Sequence, residues 1–270
     1  MDNRPIGVFD SGLGGLTAVR RLQELLPHED IVYFGDTGRV PYGTRSRETI
    51  RRYAGEDCRL LLDRDVKFII AACGTVSSVA PDILTSLPVP AIGVVEPTAA
   101  AAAAATRNGR VGIIGTAATI RSASFERALL AIRPDLHITA TPCPLFVPLV
   151  ENGWISQDDP VAIPMVRRYL TQIKADGADT LILGCTHFPL LTPIIQQELG
   201  SDVTLIDSGY ETARLCAARL RETGQLSADS RPGQSRYYVS DQPEGFSQVA
   251  EIFLGHSVEQ QVEMVRLDQP

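Results

Sequence analysis

Two short stretches carry the residue types that do chemistry. "ILGCTHFP" sets Cys185, Thr186 and His187 directly behind an apolar run, and "IIAACGTVSS" does the same with Cys73, Gly74 and Thr75. Taken singly, a cysteine behind such a run reads as a small hydrophobe, because free Cys is among the most buried residue types. Taken as a pair, two thiols in like settings can work as acid and base on one carbon. One removes a proton from one face and the other returns a proton to the opposite face, which inverts the centre. A thiol suits this work once a cation, hydrogen bonds or a helix N-terminus lowers its resting pKa of about 8.5. His187 follows Cys185 closely enough to tune it or relay protons, and Asp10 in "VFDSGLGG" is the counterpart for Cys73. A carboxylate beside a thiolate raises the thiol pKa, so Asp10 is expected to orient a substrate ammonium or handle protons.

These residues need elements to hold them. Short apolar runs ("IGVFD", "DIVYFGD", "VKFIIAAC", "PAIGVV", "RVGIIGT", "HITATPCP", "TLILGCT", "VTLIDS") alternate with longer helical stretches. Runs apolar on both faces suit central strands of parallel sheets covered by helices, so the expected class is α/β. Residues 14–26 carry Leu16, Val19, Leu22 and Leu26 at helical spacing, and "PTAAAAAAATRNG" predicts a helix ending at Asn108-Gly109. Ligands collect at the C-terminal ends of such strands. Those ends offer Asp10 and Ser11, Asp36 with Tyr42 and Gly43 beyond it, Cys73 and Thr75, Thr116 and Thr119, and Cys185 to His187. "RPIGVFDSG" is echoed by "GRVGIIGTAAT", and "DVKFIIAACGT" by "GADTLILGCTH". The echo predicts two pseudo-symmetric domains, 1–97 plus 209–270 and 98–208, with Cys73 and Cys185 facing one interdomain cleft.

Composition narrows the function classes. The chain has 270 residues, is 44% hydrophobic and carries a formal net charge of -7 without a Lys/Arg run, which argues against a nucleic-acid partner and for a small-molecule substrate. No apolar h-region follows a basic start and no charge-free stretch reaches membrane-span length, so a cytoplasmic protein without a membrane partner is expected. The five cysteines are odd in number, widely spaced and free of C-x-x-C pairs; free thiols are expected, with Cys58, Cys143 and Cys216 structural. Lys67 and Lys174 fall in polar helix-to-strand approaches, which suits no Schiff-base cofactor, and His28, His137, His187 and His256 lack metal-ligand spacing. The turn "DSGLGG" lacks both G-x-G-x-x-G and the P-loop lysine, so nucleotide binding is not expected.

The segments "GVFDSGLGGLTAVR", "YFGDTGRVPYG", "ACGTVSS", "GIIGTAATIRS" and "LGCTHFPLL" stand in an order and spacing that resembles the bacterial glutamate racemases, over about residue 5 to residue 210. The resemblance implies a cofactor-independent enzyme of the aspartate/glutamate racemase superfamily, a homodimer that supplies D-glutamate for peptidoglycan. It assigns the catalytic pair to Cys73 and Cys185, with Cys73 serving the D face and Cys185 the L face. Substrate contacts fall on Asp10, Ser11, Tyr42, Gly43, Gly74, Thr75, Thr186 and His187, carboxylate ligands on Thr116 and Thr119, and an assisting acid on Glu151 of "PLVENG". Most relatives carry Asn after the first Cys; this chain has Gly74, which leaves only a backbone contact. Two other readings are a racemase for another small amino acid such as aspartate, and an idle binding or regulatory protein on the same fold. The presence of both thiols with their partners speaks against idleness. Cysteine hydrolase logic leaves the second thiol unexplained.

Overall fold

The protein, described here by a computed structural model over residues 1–267, is built on two parallel sheets. Strands β1 (Ile6–Asp10), β2 (Ile31–Gly35), β3 (Phe68–Ala71) and β4 (Ala91–Gly93) come from the first apolar runs. The later runs give β5 (Arg110–Gly115), β6 (His137–Pro142), β7 (Thr180–Leu183) and β8 (Thr204–Asp207). The first sheet has the order β2-β1-β3-β4 and the second β6-β5-β7-β8, so the strands that echo one another in sequence hold equivalent places. Two further strands, β9 (Ser235–Val239) and β10 (Val262–Met264), extend the first sheet beyond β2. Neither is among the strands expected from the eight apolar runs. The expected returning segment 209–270 supplies them, and its last three residues lie outside the described residues.

Helices cover both sheets. In the first half these are α1 (Leu16–Leu25), α2 (Arg47–Leu62), α3 (Gly74–Val79), α4 (Pro81–Thr85) and α5 (Val95–Ala105). They continue with α6 (Ala117–Ser122), α7 (Ser124–Ile132), α8 (Phe146–Glu151), α9 (Ala162–Ala175) and α10 (Thr192–Leu199), then α11 (Ser208–Glu222) and α12 (Pro243–Leu254). The 3.6-residue period of α1 buries Leu16, Val19 and Leu22 on the sheet and against α11. Asp207 caps α11 by accepting the N–H groups of Gly209 (2.9 Å) and Tyr210 (3.1 Å).

The alanine-rich helix α5 stops at Ala105, earlier than Asn108-Gly109. The cause is Asp179, which accepts from the Thr106 hydroxyl (2.7 Å) and from the N–H groups of Arg107 and Asn108 (both 2.8 Å), drawing the chain out of the helix. Gly109 then turns at a φ of 73°.

Lys67 departs further from the sequence reading. It is fully buried, ion-paired with Glu29 at 2.6 Å, and donates to the carbonyls of Asp2 (2.6 Å) and Gln225 (2.9 Å). Removing one member of a buried pair strands the other charge. Lys67→Met is therefore expected to lower the unfolding free energy by about 3–5 kcal/mol. Urea denaturation checks this, and an unchanged midpoint would show that Glu29 finds water instead.

Candidate active site

Parallel strands in both sheets deliver their C-terminal ends to one cavity of about 660 Å³. Its wall contains Cys73, Gly74 and Thr75 from the end of β3, and Cys185, Thr186 and His187 from the end of β7. Asp10 and Ser11 follow β1, Thr116 and Thr119 follow β5, Tyr42 and Gly43 come from the loop after β2, and Glu151 ends α8. Every residue expected to act in catalysis or to contact substrate thus faces the same space, whereas the strand-end Asp36 does not. The two halves approach closely: a Cβ on Gly74 would lie 3.0 Å from the carbonyl oxygen of Gly184.

Around Cys73 the environment is buried and acidic. The thiol donates to Ser11 Oγ at 3.4 Å. Burial, followed by the nearby Asp10 carboxylate, pushes the Cys73 pKa up to about 12, so this sulfur holds its proton at neutral pH. Asp10 is itself pushed up by burial, against the pull of His187 and of backbone N–H groups. It accepts the Gly12 N–H at 3.0 Å, and the Tyr33 hydroxyl donates to the Gly12 carbonyl at 2.8 Å, which pins the glycine-rich turn.

Around Cys185 the partner is a cation. His187 Nδ1 lies 3.9 Å from Cys185 Sγ, and Nε2 lies 3.0 Å from Glu151 Oε1. Burial alone drives the imidazole toward neutrality, but its bonds to Cys185 and Glu151 prevail and raise its pKa to about 10. The ring packs edge-on against Phe253 of α12, 5.2 Å away. A folded-state pKa above the ordinary 6.5 means that the stabilisation is complete below pH 6.5 and is lost as pH climbs toward 10. Glu151→Gln removes one of the two partners. The imidazole pKa, followed by NMR, is expected to fall in this variant; an unmoved value would mean that Glu151 does not help to keep the ring protonated.

Thr116 caps α6 by accepting the Thr119 N–H at 3.3 Å, and the two hydroxyl oxygens lie 3.0 Å apart, presenting a pair of hydroxyls to the cavity. Tyr42 differs from expectation in detail. Its side chain is buried and its hydroxyl is committed to Asp36 and Asp57, so its contribution to the wall is ring and backbone. Sequence reading missed several wall residues, Cys143, Gln242 and Phe246 among them. Cys143 was assigned to structure alone, while Gln242 and Phe246 come from the start of α12. Only the aromatic and Pro-Glu-Gly signature of that helix start was available as a signal. Among the described residues no Lys or Arg lines the cavity, and no helix is long and apolar enough to cross a membrane.

Comparison with known proteins agrees with this geometry. The chain is 48% identical over 253 residues to a glutamate racemase from Geobacter metallireducens, covering 93% of each chain. The crystal structure of a glutamate racemase isoform from Bacillus anthracis superposes with a TM-score of 0.93 at 36% identity, covering 99% of both chains. That of a glutamate racemase from Francisella tularensis, in complex with D-glutamate, gives a TM-score of 0.90 at 38% identity with the same coverage. Residues 7–216, which hold both thiol segments, match the family described as Asp/Glu/hydantoin racemase, and the chain belongs to that family.

Proposed function

We propose that the protein interconverts L-glutamate and D-glutamate without a cofactor, one thiol removing the α-proton and the other returning a proton on the opposite face. The observation that carries this reading is the pair of buried strand-terminal cysteines on one cavity, each with its own acid/base companion: Asp10 beside Cys73, and His187 beside Cys185. Starting from L-glutamate, Cys185 acts as base next to the His187 imidazolium, and the protonated Cys73 delivers its proton to the other face of the carbanion. The reverse direction exchanges the roles. With no Lys or Arg in the wall, the substrate carboxylates fall to the hydroxyls of Ser11, Thr75, Thr116, Thr119 and Thr186 and to backbone N–H groups at Gly43 and Gly74. Asp10 is the anion available to the substrate ammonium.

Glutamate is the substrate named for the relatives that match over nearly the whole chain, and it supports the choice over aspartate. The reading extends to a cytoplasmic homodimer that supplies D-glutamate for peptidoglycan; the acidic charge suits a small-molecule enzyme without a nucleic-acid partner. The test is to follow optical rotation of L-glutamate and L-aspartate with protein exhaustively dialysed against a strong chelator and hydroxylamine. Loss of rotation with glutamate is the expected result. No change with glutamate, activity confined to aspartate, or activity that returns only on adding metal or pyridoxal phosphate would overturn the proposal.

A further inference from the structure

The loop that brings Tyr42 and Gly43 to the cavity has little regular structure of its own, only two short 3-10 turns at Thr37–Arg39 and Tyr42–Thr44. Its placement matters to the site. A Cβ on Gly43 would lie 3.6 Å from Ala118 Cβ, 3.9 Å from Thr75 Oγ1 and 4.0 Å from Thr116 Oγ1, so this glycine faces hydroxyls from both halves.

Beneath the loop lies a charged cluster outside the cavity. The Tyr42 hydroxyl oxygen stands 2.9 Å from Asp57 Oδ2 and also contacts Asp36 Oδ2. Arg39 donates through Nε to Asp36 Oδ2 (2.5 Å), through Nη2 to Asp57 Oδ1 (3.1 Å), and through Nη1 to Glu56. Asp36 and Asp57 are wholly buried.

Counting protons decides the charge state. A phenol has one proton, yet Tyr42 Oη sits between two carboxyl oxygens, and three carboxyls share one guanidinium. With both aspartates ionised, one oxygen–oxygen contact has no hydrogen and two buried anions repel. One added proton resolves both problems. Asp36 already has three donors, Arg39, Tyr42 and the Ser240 hydroxyl (2.7 Å), which marks it as the carboxylate. Asp57 has only Arg39 on one oxygen, and its other oxygen is free to donate to Tyr42 Oη.

We propose that Asp57 is a positioning residue held as the neutral carboxylic acid, which through a chain from Asp57 O–H to Tyr42 to Asp36 fixes the loop carrying Gly43 against the substrate. Burial, and then the neighbouring Asp36, raise the Asp57 pKa well above the carboxylate range, in the same sense. The titratable groups facing Asp57 are Asp36 after β2, Arg39 and Tyr42 in the loop, and Glu56 and Cys58 on α2 itself. Ser240 after β9 reaches only Asp36 and does not titrate.

The activity arm of the test rests on the racemase reading; the spectroscopic arm does not. In the full-length protein at neutral pH, the infrared difference between wild type and Asp57→Asn should show a carboxylic-acid carbonyl band lost with the substitution. Asparagine keeps a neutral donor to Tyr42 Oη, so its KM for glutamate should stay near the wild-type value. Asp57→Leu lacks the donor, and the loop shifts; its KM should rise about tenfold or more with a smaller change in kcat. A carboxylate band lost instead of an acid band, Asn as impaired as Leu, or Leu with a wild-type KM would each overturn the proposal. If the leucine variant does not fold, the asparagine spectrum and KM decide alone.

Discussion

Serine in place of either Cys73 or Cys185 is expected to abolish racemisation, by a factor on the order of 10²–10⁴, while leaving proton exchange on one enantiomer. Both sulfurs line one cavity, and the proposed inversion needs one of them on each face of the α-carbon. A serine hydroxyl has the size to stand there but does not ionise as a thiol does, so it is neither base nor ready donor. With the hand implied by the family resemblance, Cys73→Ser should still exchange the α-proton of L-glutamate through Cys185. Cys185→Ser should exchange that of D-glutamate through Cys73. The measurement is deuterium at the α-carbon by NMR, each variant being incubated with each enantiomer in deuterated water. The same enantiomer preference in both variants, or racemisation near wild type in either, would refute the two-thiol scheme.

Gly14→Ala should cost about 10²-fold in kcat/KM, although the residue touches no reacting atom. An added Cβ would fall 2.0 Å from Thr186 Oγ1 and 2.6 Å from His187 Nδ1, across the cleft between the halves. The imidazole has little room to retreat, being held by Glu151 on one side and Phe253 on another. The segment Cys185-Thr186-His187 must therefore move away from Asp10 and Cys73. Misplacing reacting groups by about 1 Å is enough to lose this much rate. Gly55 in α2 is the control: nothing lies within 4 Å of its added Cβ, so Gly55→Ala should stabilise the protein by about 0.5–1 kcal/mol. Kinetics and urea midpoints of the two variants side by side check both expectations. Near-wild-type kcat/KM for Gly14→Ala would show that the halves close less tightly than described.

What the sequence determined by itself was local and periodic. Eight apolar runs became β1 to β8: the strands buried along their whole length, β1, β2, β3 and β7, took inner places in a helix-covered parallel sheet, and the less buried β4, β6 and β8 took edges. Residues directly after such runs are delivered to one edge, which is why Asp10, Cys73, Thr116 and Cys185 could be marked before any was seen to share a cavity. The echo of β1 in β5 and of β3 in β7 carried the pseudo-symmetry. The strands β9 and β10 escaped because polar and charged residues interrupt them (SRYYV and VEM) and they gain their place only by pairing outward from β2 and from each other. The tertiary structure alone decided the partners of polar groups far apart in the chain. Lys67 reads as a polar approach residue until Glu29 and the Gln225 carbonyl surround it. Tyr42 reads as a loop side chain until Asp36 and Asp57 claim its hydroxyl, and Cys143 as core until it is found in the cavity wall. The freedom of Gly14 to be anything else was likewise removed only by Thr186, more than a hundred residues away. The reason is physical: periodicity sets which face of an element is buried, whereas a buried donor, acceptor or charge is satisfied by whatever packing brings within about 3 Å.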